Sequence, residues 1–204
     1  MPPYISIGGY SDPPRISYLS IEAGKGELVA LVGCPGSGKS NLIKSIAGIR
    51  SVSGGSIRIM GAKPDSMRAR EEAVFVFQNF NFAPDLAVRT QLERRIALLR
   101  GVPVRDVRMD IENWCKEMEL TEIAQYVPQQ MNRSQLQMLS LAPLALTDPL
   151  VAVLDEPLVN MSSISISSAL SIILSLLEKN ASVLALVQSK SPLVKRADRV
   201  VNLL

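Results

Sequence analysis

The chain has 204 residues, 47% of them hydrophobic, with 22 basic and 19 acidic side chains and a net charge of +3. This length suits one sizeable α/β core, and basic residues spread along the whole chain give little reason to invoke nucleic acid. Two cysteines, Cys34 and Cys115, make no disulfide framework, and with no charged-then-apolar leader a reducing cytosol is expected.

Residues 1–26 carry proline pairs at 2–3 and 13–14, a Gly8-Gly9 step and an alternating run over 15–21, so they read as β structure leading into the core. The nearly continuous apolar run over 27–32 predicts a buried parallel strand, and the spacing over 41–48 predicts a helix that stops at Gly48. Between them lies Gly33-Cys34-Pro35-Gly36-Ser37-Gly38-Lys39-Ser40, which fits G-x-x-x-x-G-K-[ST], a phosphate-binding loop. Glycines allow positive φ, so successive N–H groups can converge on phosphate oxygens at a helix N-terminus. Lys39 then reaches the β and γ phosphates, the Ser40 hydroxyl ligates magnesium, and Asn41 opens the helix beside them. Of the three tyrosines near the start (Tyr4, Tyr10 and Tyr18), Tyr10 is expected to stack on a purine because it follows the flexible Gly8-Gly9.

Further on, residues 54–61 resemble a hairpin strand, and Ala73 to Phe77 a buried strand ending at Gln78. The stretch from Asn79 to Leu86 alternates aromatics with amides and is too broken for a helix. Helical spacing returns from Val88 to about Tyr126, interrupted at Gly101-Val102-Pro103, as expected for an inserted helical subdomain. One further helix is predicted over 134–146. The apolar run 150–154 then delivers Asp155-Glu156-Pro157, two acids at a strand end, as a magnesium nucleotide site needs. Asp155 is expected to hold the metal and Glu156 to orient an attacking water. Leu158 to Leu177 carries no charge, yet its seven serines and the adjacent acids favour a buried helix over a membrane span. A buried strand over 182–187 and the run 199–204 close the chain.

These parts, in this order, resemble the nucleotide-binding subunit of an ATP-binding cassette (ABC) transporter, most specifically over 29–40, 76–88 and 148–157. The resemblance implies an α/β fold of the P-loop NTPase, ABC ATPase type: a mostly parallel sheet flanked by helices, with an N-terminal antiparallel β subdomain and an inserted helical subdomain. As one domain over 1–204, it would divide into a β subdomain and loop core (1–86), a helical subdomain (87–134) and the rest of the core (135–204). It further implies ATP and Mg2+, with Gly33, Pro35, Gly36, Ser37, Gly38, Lys39, Ser40 and Asn41 on the nucleotide, and Ser40, Gln78 and Asp155 on the metal. Catalysis would rest on Glu156 and Gln78. The implied partners are a second ABC subunit, in a homodimer or heterodimer, and membrane permease subunits received by the stretch Asn79 to Leu86, at the inner face of the cell membrane.

Three departures from the family pattern lower the expected rate of hydrolysis. The signature Leu-Ser-Gly-Gly-Gln falls on Met131-Asn132-Arg133-Ser134-Gln135, without either glycine. The switch histidine is replaced by Gln188, Ser189 and Lys190 in a chain that has no histidine, and Val159-Asn160-Met161-Ser162 lacks the aspartate that links two sites. The reading is therefore an ATP-binding transport subunit with slow hydrolysis. A soluble non-transport ABC-type ATPase and a regulatory ATP-dependent dimerisation module are the alternatives, with a small-molecule kinase disfavoured by the adjacent acids.

Overall fold

The computed structural model describes residues 2–78 and 82–203. Contacts divide the chain into two units: residues up to 78, 149–157 and from 173 onward form the first, and 79–148 with 158–172 form the second.

In the first unit, β1 (Ile5–Asp12), β2 (Ile16–Ala23) and β4 (Gly54–Ile59) make an antiparallel sheet in the order β2-β1-β4. The second sheet is parallel, in the order β5-β6-β7-β3-β8, from β3 (Leu28–Val32), β5 (Ala73–Val76), β6 (Val151–Asp155), β7 (Ser182–Val187) and β8 (Arg199–Asn202). Every residue of β3, β6 and β7 is buried, so these strands are continuous apolar runs instead of alternating ones. The helices α1 (Lys39–Ile46) and α2 (Met67–Glu72) also belong to this unit. Leu42, Ile43 and Ile46 of α1 share a core cluster with Ile5 and Ile7 of β1 and with Val29 and Leu31 of β3.

The burial of β1 changes phase along its length. Ile5 and Ile7 face inward, and then Tyr10 and Asp12 do, because the register slips between Ile7 and Tyr10 at the Gly8-Gly9 step. One extra residue in a strand turns every later side chain to the opposite face. Gly9 takes a φ of 61°, and Gly55 of β4 lies so close to it that a Cβ there would collide with the Gly9 carbonyl.

The second unit holds α3 (Val88–Arg100), α4 (Arg108–Glu117), α5 (Arg133–Ser140), α6 (Ala142–Thr147) and the first ten residues of α7 (Ser163–Glu178). Leu92 and Ile96 of α3 and Ile111 and Trp114 of α4 are buried. Arg89 joins these two helices, donating to Glu93 at 3.1 Å and to Glu112 at 3.1 Å. The single helix expected over 134–146 is two, broken at Leu141. Pro143 opens α6 and has no N–H to continue the α5 ladder. No helix among the described residues is long and apolar enough to cross a membrane.

Candidate functional site

Within the first unit, strand ends and a helix start bring the expected chemistry together. β3 leads into the loop 33–38, and α1 begins at Lys39 with Gly38 as its N-cap, at a φ of 95°. β6 ends at Asp155, and Glu156 follows with its N–H on the Leu186 carbonyl of β7 at 2.9 Å. A cavity of about 320 Å³ is lined by Lys39, Ser40, Gln78, Asp155, Glu156 and Gln188.

Lys39 is buried, and its ammonium is held in place from three directions. It donates to the carbonyls of Gly33 and Cys34, the latter at 3.0 Å, and stands 3.7 Å from the Glu156 carboxylate. The Ser40 hydroxyl donates to Asp155 at 3.3 Å. Gln188 hydrogen-bonds the Glu156 carboxylate through both its main chain and its side chain. Glu156 has a φ of 49°, in a left-handed region that costs a side-chain-bearing residue about 1–2 kcal/mol. Strain of this kind persists where the surrounding bonds fix the geometry.

Asp155 and Glu156 are only 3% and 7% exposed. Burial raises the Asp155 carboxyl to about 6, helped by the neighbouring Glu156 charge, while the Ser40 hydroxyl and Lys39 pull the other way. Burial also raises Glu156, against the opposing pull of Lys39 and Gln188. Two crowded acids, of which Asp155 has only the Ser40 hydroxyl as a donor among the described residues, form a place where a hard cation is favoured, and the Ser40 oxygen extends it.

The loop suits a triphosphate. Gly36 and Gly38 hold φ of 85° and 95°, so side chains do not occlude the converging N–H groups. A Cβ on Gly33 would collide with the Ser37 hydroxyl, and that hydroxyl is buried with no hydrogen-bond partner among the described residues. Pro35, Gly36, Gly38 and Asn41 line the cavity, whereas Gly33 and Ser37 do not. The exposed Cys34 shares the cavity wall, and Cys115 is buried far along the chain with its thiol pushed up to about 11, chiefly by burial.

Tyr10 corrects the sequence expectation. It is 1% exposed, inside the core of the first unit, with its hydroxyl 3.4 Å from Ser45, so its ring is not available to stack on a purine. The register slip in β1 is the cause. Neither Tyr4 nor the exposed Tyr18 lines the cavity; the residue of this region that does is Arg15. The sequence reading missed Arg15, and also missed Asp12, which accepts from Asn41 at 2.8 Å and from both ends of the Arg50 guanidinium at 3.0 and 2.8 Å. The signal available was Asp12-Pro13-Pro14-Arg15, a tight-turn composition directly before a strand.

In the second unit, Asn132 caps α5. Its side-chain oxygen accepts the Gln135 N–H at 2.9 Å, and the Gln135 side chain accepts the Asn132 N–H at 2.9 Å. The side chains of Asn132 and Gln135 in the signature segment are thereby used locally, and Arg133 is exposed between them. Ser162 similarly receives the Ser165 N–H at 3.2 Å at the start of α7. In the stretch expected to receive a membrane partner, Asn79, Phe80 and Asn81 lie outside the described residues. Gln91 of α3 ties down the remainder through Ala83, at 2.6 and 2.9 Å, and Leu86, at 2.6 Å.

Comparison with known proteins agrees with this arrangement. The sequence profile of the family described as ABC transporter matches residues 16–159. The sn-glycerol-3-phosphate import ATP-binding protein UgpC 1 of Rhizobium etli is 30% identical over 155 residues, 76% of this chain and 44% of that protein. The diacetylchitobiose uptake system ATP-binding protein MsiK of Streptomyces coelicolor is 29% identical over 154 residues, 75% of this chain and 40% of that protein. The chain thus spans less than half the length of either relative. Among solved structures, the ATP-binding subunit of an ABC transporter superimposes with a TM-score of 0.85 at 20% identity, covering 98% of this chain and 85% of that one. The ATP-binding cassette MJ0796, in a dimeric post-hydrolysis state bound to ADP and Pi, gives 0.83 at 21% identity, covering 98% and 94%. At such identities these are likenesses of fold, and the fold is that of an ABC ATPase domain. The family match over most of the chain identifies it: this protein belongs to the ABC transporter family, in its ATP-binding part.

Proposed function

We propose that this chain is the ATP-binding subunit of an ABC transporter complex, one ATP-binding domain over 1–204 that binds Mg-ATP, closes on a second ABC subunit and hydrolyses slowly. The observation that carries this reading is the convergence of Lys39, Ser40, Gln78, Asp155, Glu156 and Gln188 on one cavity. The loop N–H groups and Lys39 bind the phosphates. Ser40, Gln78 and Asp155 would hold magnesium, which when bound neutralises charge on the transferred phosphoryl group. Glu156, fixed by Lys39 and Gln188, accepts a hydrogen bond from the attacking water and aims it at the γ-phosphate.

Slow turnover is supported by what stands around Glu156 and at the start of α5. The chain has no histidine, and the Gln188 amide beside Glu156 neither takes up nor releases a proton. Arg133 presents a bulky cation where the family pattern has a glycine, and the Asn132–Gln135 caps hold the neighbouring side chains in local bonds. The relatives' names describe import and uptake, which favours an importer. Its permease would meet the stretch 79–86, at the cytoplasmic face of the cell membrane, and its second ABC subunit would be a copy of this chain or a related one.

The test is ATP binding and ATP turnover by the purified chain, measured in parallel. The expected outcome is binding with slow turnover, the turnover abolished in Glu156→Gln and the binding abolished in Lys39→Ala. Turnover in the ordinary enzymatic range of about 1–10³ s⁻¹ overturns the slow-hydrolysis part. Absence of ATP binding overturns the whole reading. The capped signature segment also favours a second reading, an ATP-dependent dimerisation module, which would replace the first if ATP drives dimerisation of a chain that never associates with membranes.

A further inference from the structure

One cation of the cavity lies outside the ion pairs of the described residues. Its wall carries the carboxylates of Asp155 and Glu156 and the cations Lys39 and Arg15. Lys39 is already engaged by two loop carbonyls and by Glu156. Arg15, in contrast, takes part in none of the ion pairs of the described residues. Its side chain is exposed.

Three features hold Arg15 at the mouth of the phosphate loop. Its N–H closes a tight turn onto the Asp12 carbonyl at 3.1 Å. The Asp12 side chain, 6% exposed, is clamped to the first turn of α1 through Asn41 at 2.8 Å and braced by the two-pronged Arg50 contact at 3.0 and 2.8 Å. The following residue, Ile16, packs over the loop end: a Cβ placed on Gly38 would lie 3.1 Å from the Ile16 side chain and 3.3 Å from the Arg15 Cβ. The turn is therefore fastened directly above the N-cap of α1, where unpaired helix N–H groups already favour an anion.

We infer that Arg15 is a second phosphate-binding cation of this site, supplied from outside the loop, and that its guanidinium contacts the phosphate chain of the bound nucleotide. The inference rests on the nucleotide reading of the cavity. A guanidinium offers several fixed donors to phosphate oxygens, and the Asp12 clamp orders the backbone that carries it before ligand arrives. The Asp12 carboxylate takes its hydrogen bonds from Asn41 and Arg50, and the Arg15 charge is the weakest of the influences on it, which leaves the guanidinium donors for a phosphate.

Isothermal titration of ATP and of inorganic tripolyphosphate, both with magnesium, separates the possibilities in wild type, Arg15→Ala, Arg15→Lys and Lys39→Ala. Arg15→Ala is expected to weaken both ligands by the same factor, about 10-fold or more for a charged hydrogen bond. Arg15→Lys, which keeps the charge, binds both more tightly than Arg15→Ala. If Arg15→Ala weakens ATP but leaves tripolyphosphate unchanged, Arg15 touches the base or ribose and the inference is overturned. No change in either ligand also overturns it. ATP binding that persists undiminished in Lys39→Ala would instead sink the nucleotide reading of the cavity, whatever Arg15 does.

Discussion

Asp12 and Asp155 each end a β-strand, each is buried, at 6% and 3% exposure, and each lies beside the start of α1, yet their carboxyls shift in opposite directions. Asp12 is held below the ordinary 3.8 of an aspartate, first by the Asn41 hydrogen bond and then by Arg50, which together outweigh desolvation. Asp155 is driven up to about 6, because one hydroxyl at 3.3 Å does not compensate for burial beside Glu156. Donors and enclosure together decide whether a carboxylate is a structural fastening or an unsatisfied site. Asp12 is complete as it stands. Asp155 has lone pairs to offer a cation, which is the physical reason to place the metal there and not at the clamp.

The comparison breaks most visibly if the fastening is removed. Asp12→Ala leaves Arg50 and Asn41 without their acceptor and frees the turn above the loop, at an expected cost of about 2–3 kcal/mol of stability. Arg50 is 37% exposed and can turn to water, which keeps the figure at the low end for a buried pair. Urea unfolding at pH 7 measures it. A stability change below about 0.5 kcal/mol, the usual range for an ordinary surface substitution, would show that Asp12 is not a fastening.

Substitution at Asp155 has the opposite sign. Asp155→Asn removes a poorly compensated charge and should stabilise the protein without ligand by about 1–2 kcal/mol at pH 7, while abolishing the gain in ATP affinity that magnesium brings. The pH dependence follows from the raised folded value. Between about pH 4 and 6 the folded chain binds the Asp155 proton more tightly than the unfolded chain does, so stability falls as pH rises through that window. Glu156 contributes a slope of the same sign, which Asp155→Asn leaves behind. Asp12 acts in the reverse direction and lower on the scale: its stabilisation is present above its ordinary value and is lost as pH falls through its depressed one. Unfolding midpoints at pH 4, 5 and 6 for wild type and Asp155→Asn give the comparison, and identical slopes would refute the assignment.

How much of this could be read beforehand differs between the two aspartates. Asp155 was legible because the apolar run 150–154 is long enough to be a buried strand, and its end delivers the acids without reference to anything distant. The same holds for the phosphate loop, where strand, glycines and helix are contiguous in sequence. Asp12 was not legible, because its direction depends on a single slipped residue at Gly8-Gly9. Without the slip, the phase set by Ile5 and Ile7 would turn Tyr10 and Asp12 outward, where a stacking tyrosine is a natural expectation. The break at Leu141 was hidden for a related reason: apolar spacing runs through Pro143 without interruption, and only the missing N–H ends the helix.

Tyr10→Phe gives the smallest effect and tests the correction itself. The hydroxyl's contact with Ser45 spans 3.4 Å, at the weak end of hydrogen-bond geometry, and a buried serine in a helix can turn its hydroxyl to a carbonyl one turn back. The expected loss of stability is below about 1 kcal/mol. The phenyl ring fills the same space between the β1 face and α1, so no cavity opens. ATP affinity should stay within about two-fold of wild type, equivalent to about 0.4 kcal/mol. A ring that stacked on the base would also tolerate loss of its hydroxyl, so Tyr10→Leu is the sharper companion: it keeps an apolar side chain in the core and removes the aromatic face. If Tyr10→Leu remains folded by circular dichroism and binds ATP 10-fold more weakly while tripolyphosphate binding is unchanged, the tyrosine reaches the base after all. Equal ATP affinity in both variants leaves Arg15 as the residue of this region that meets the nucleotide, and leaves Tyr10 to the core.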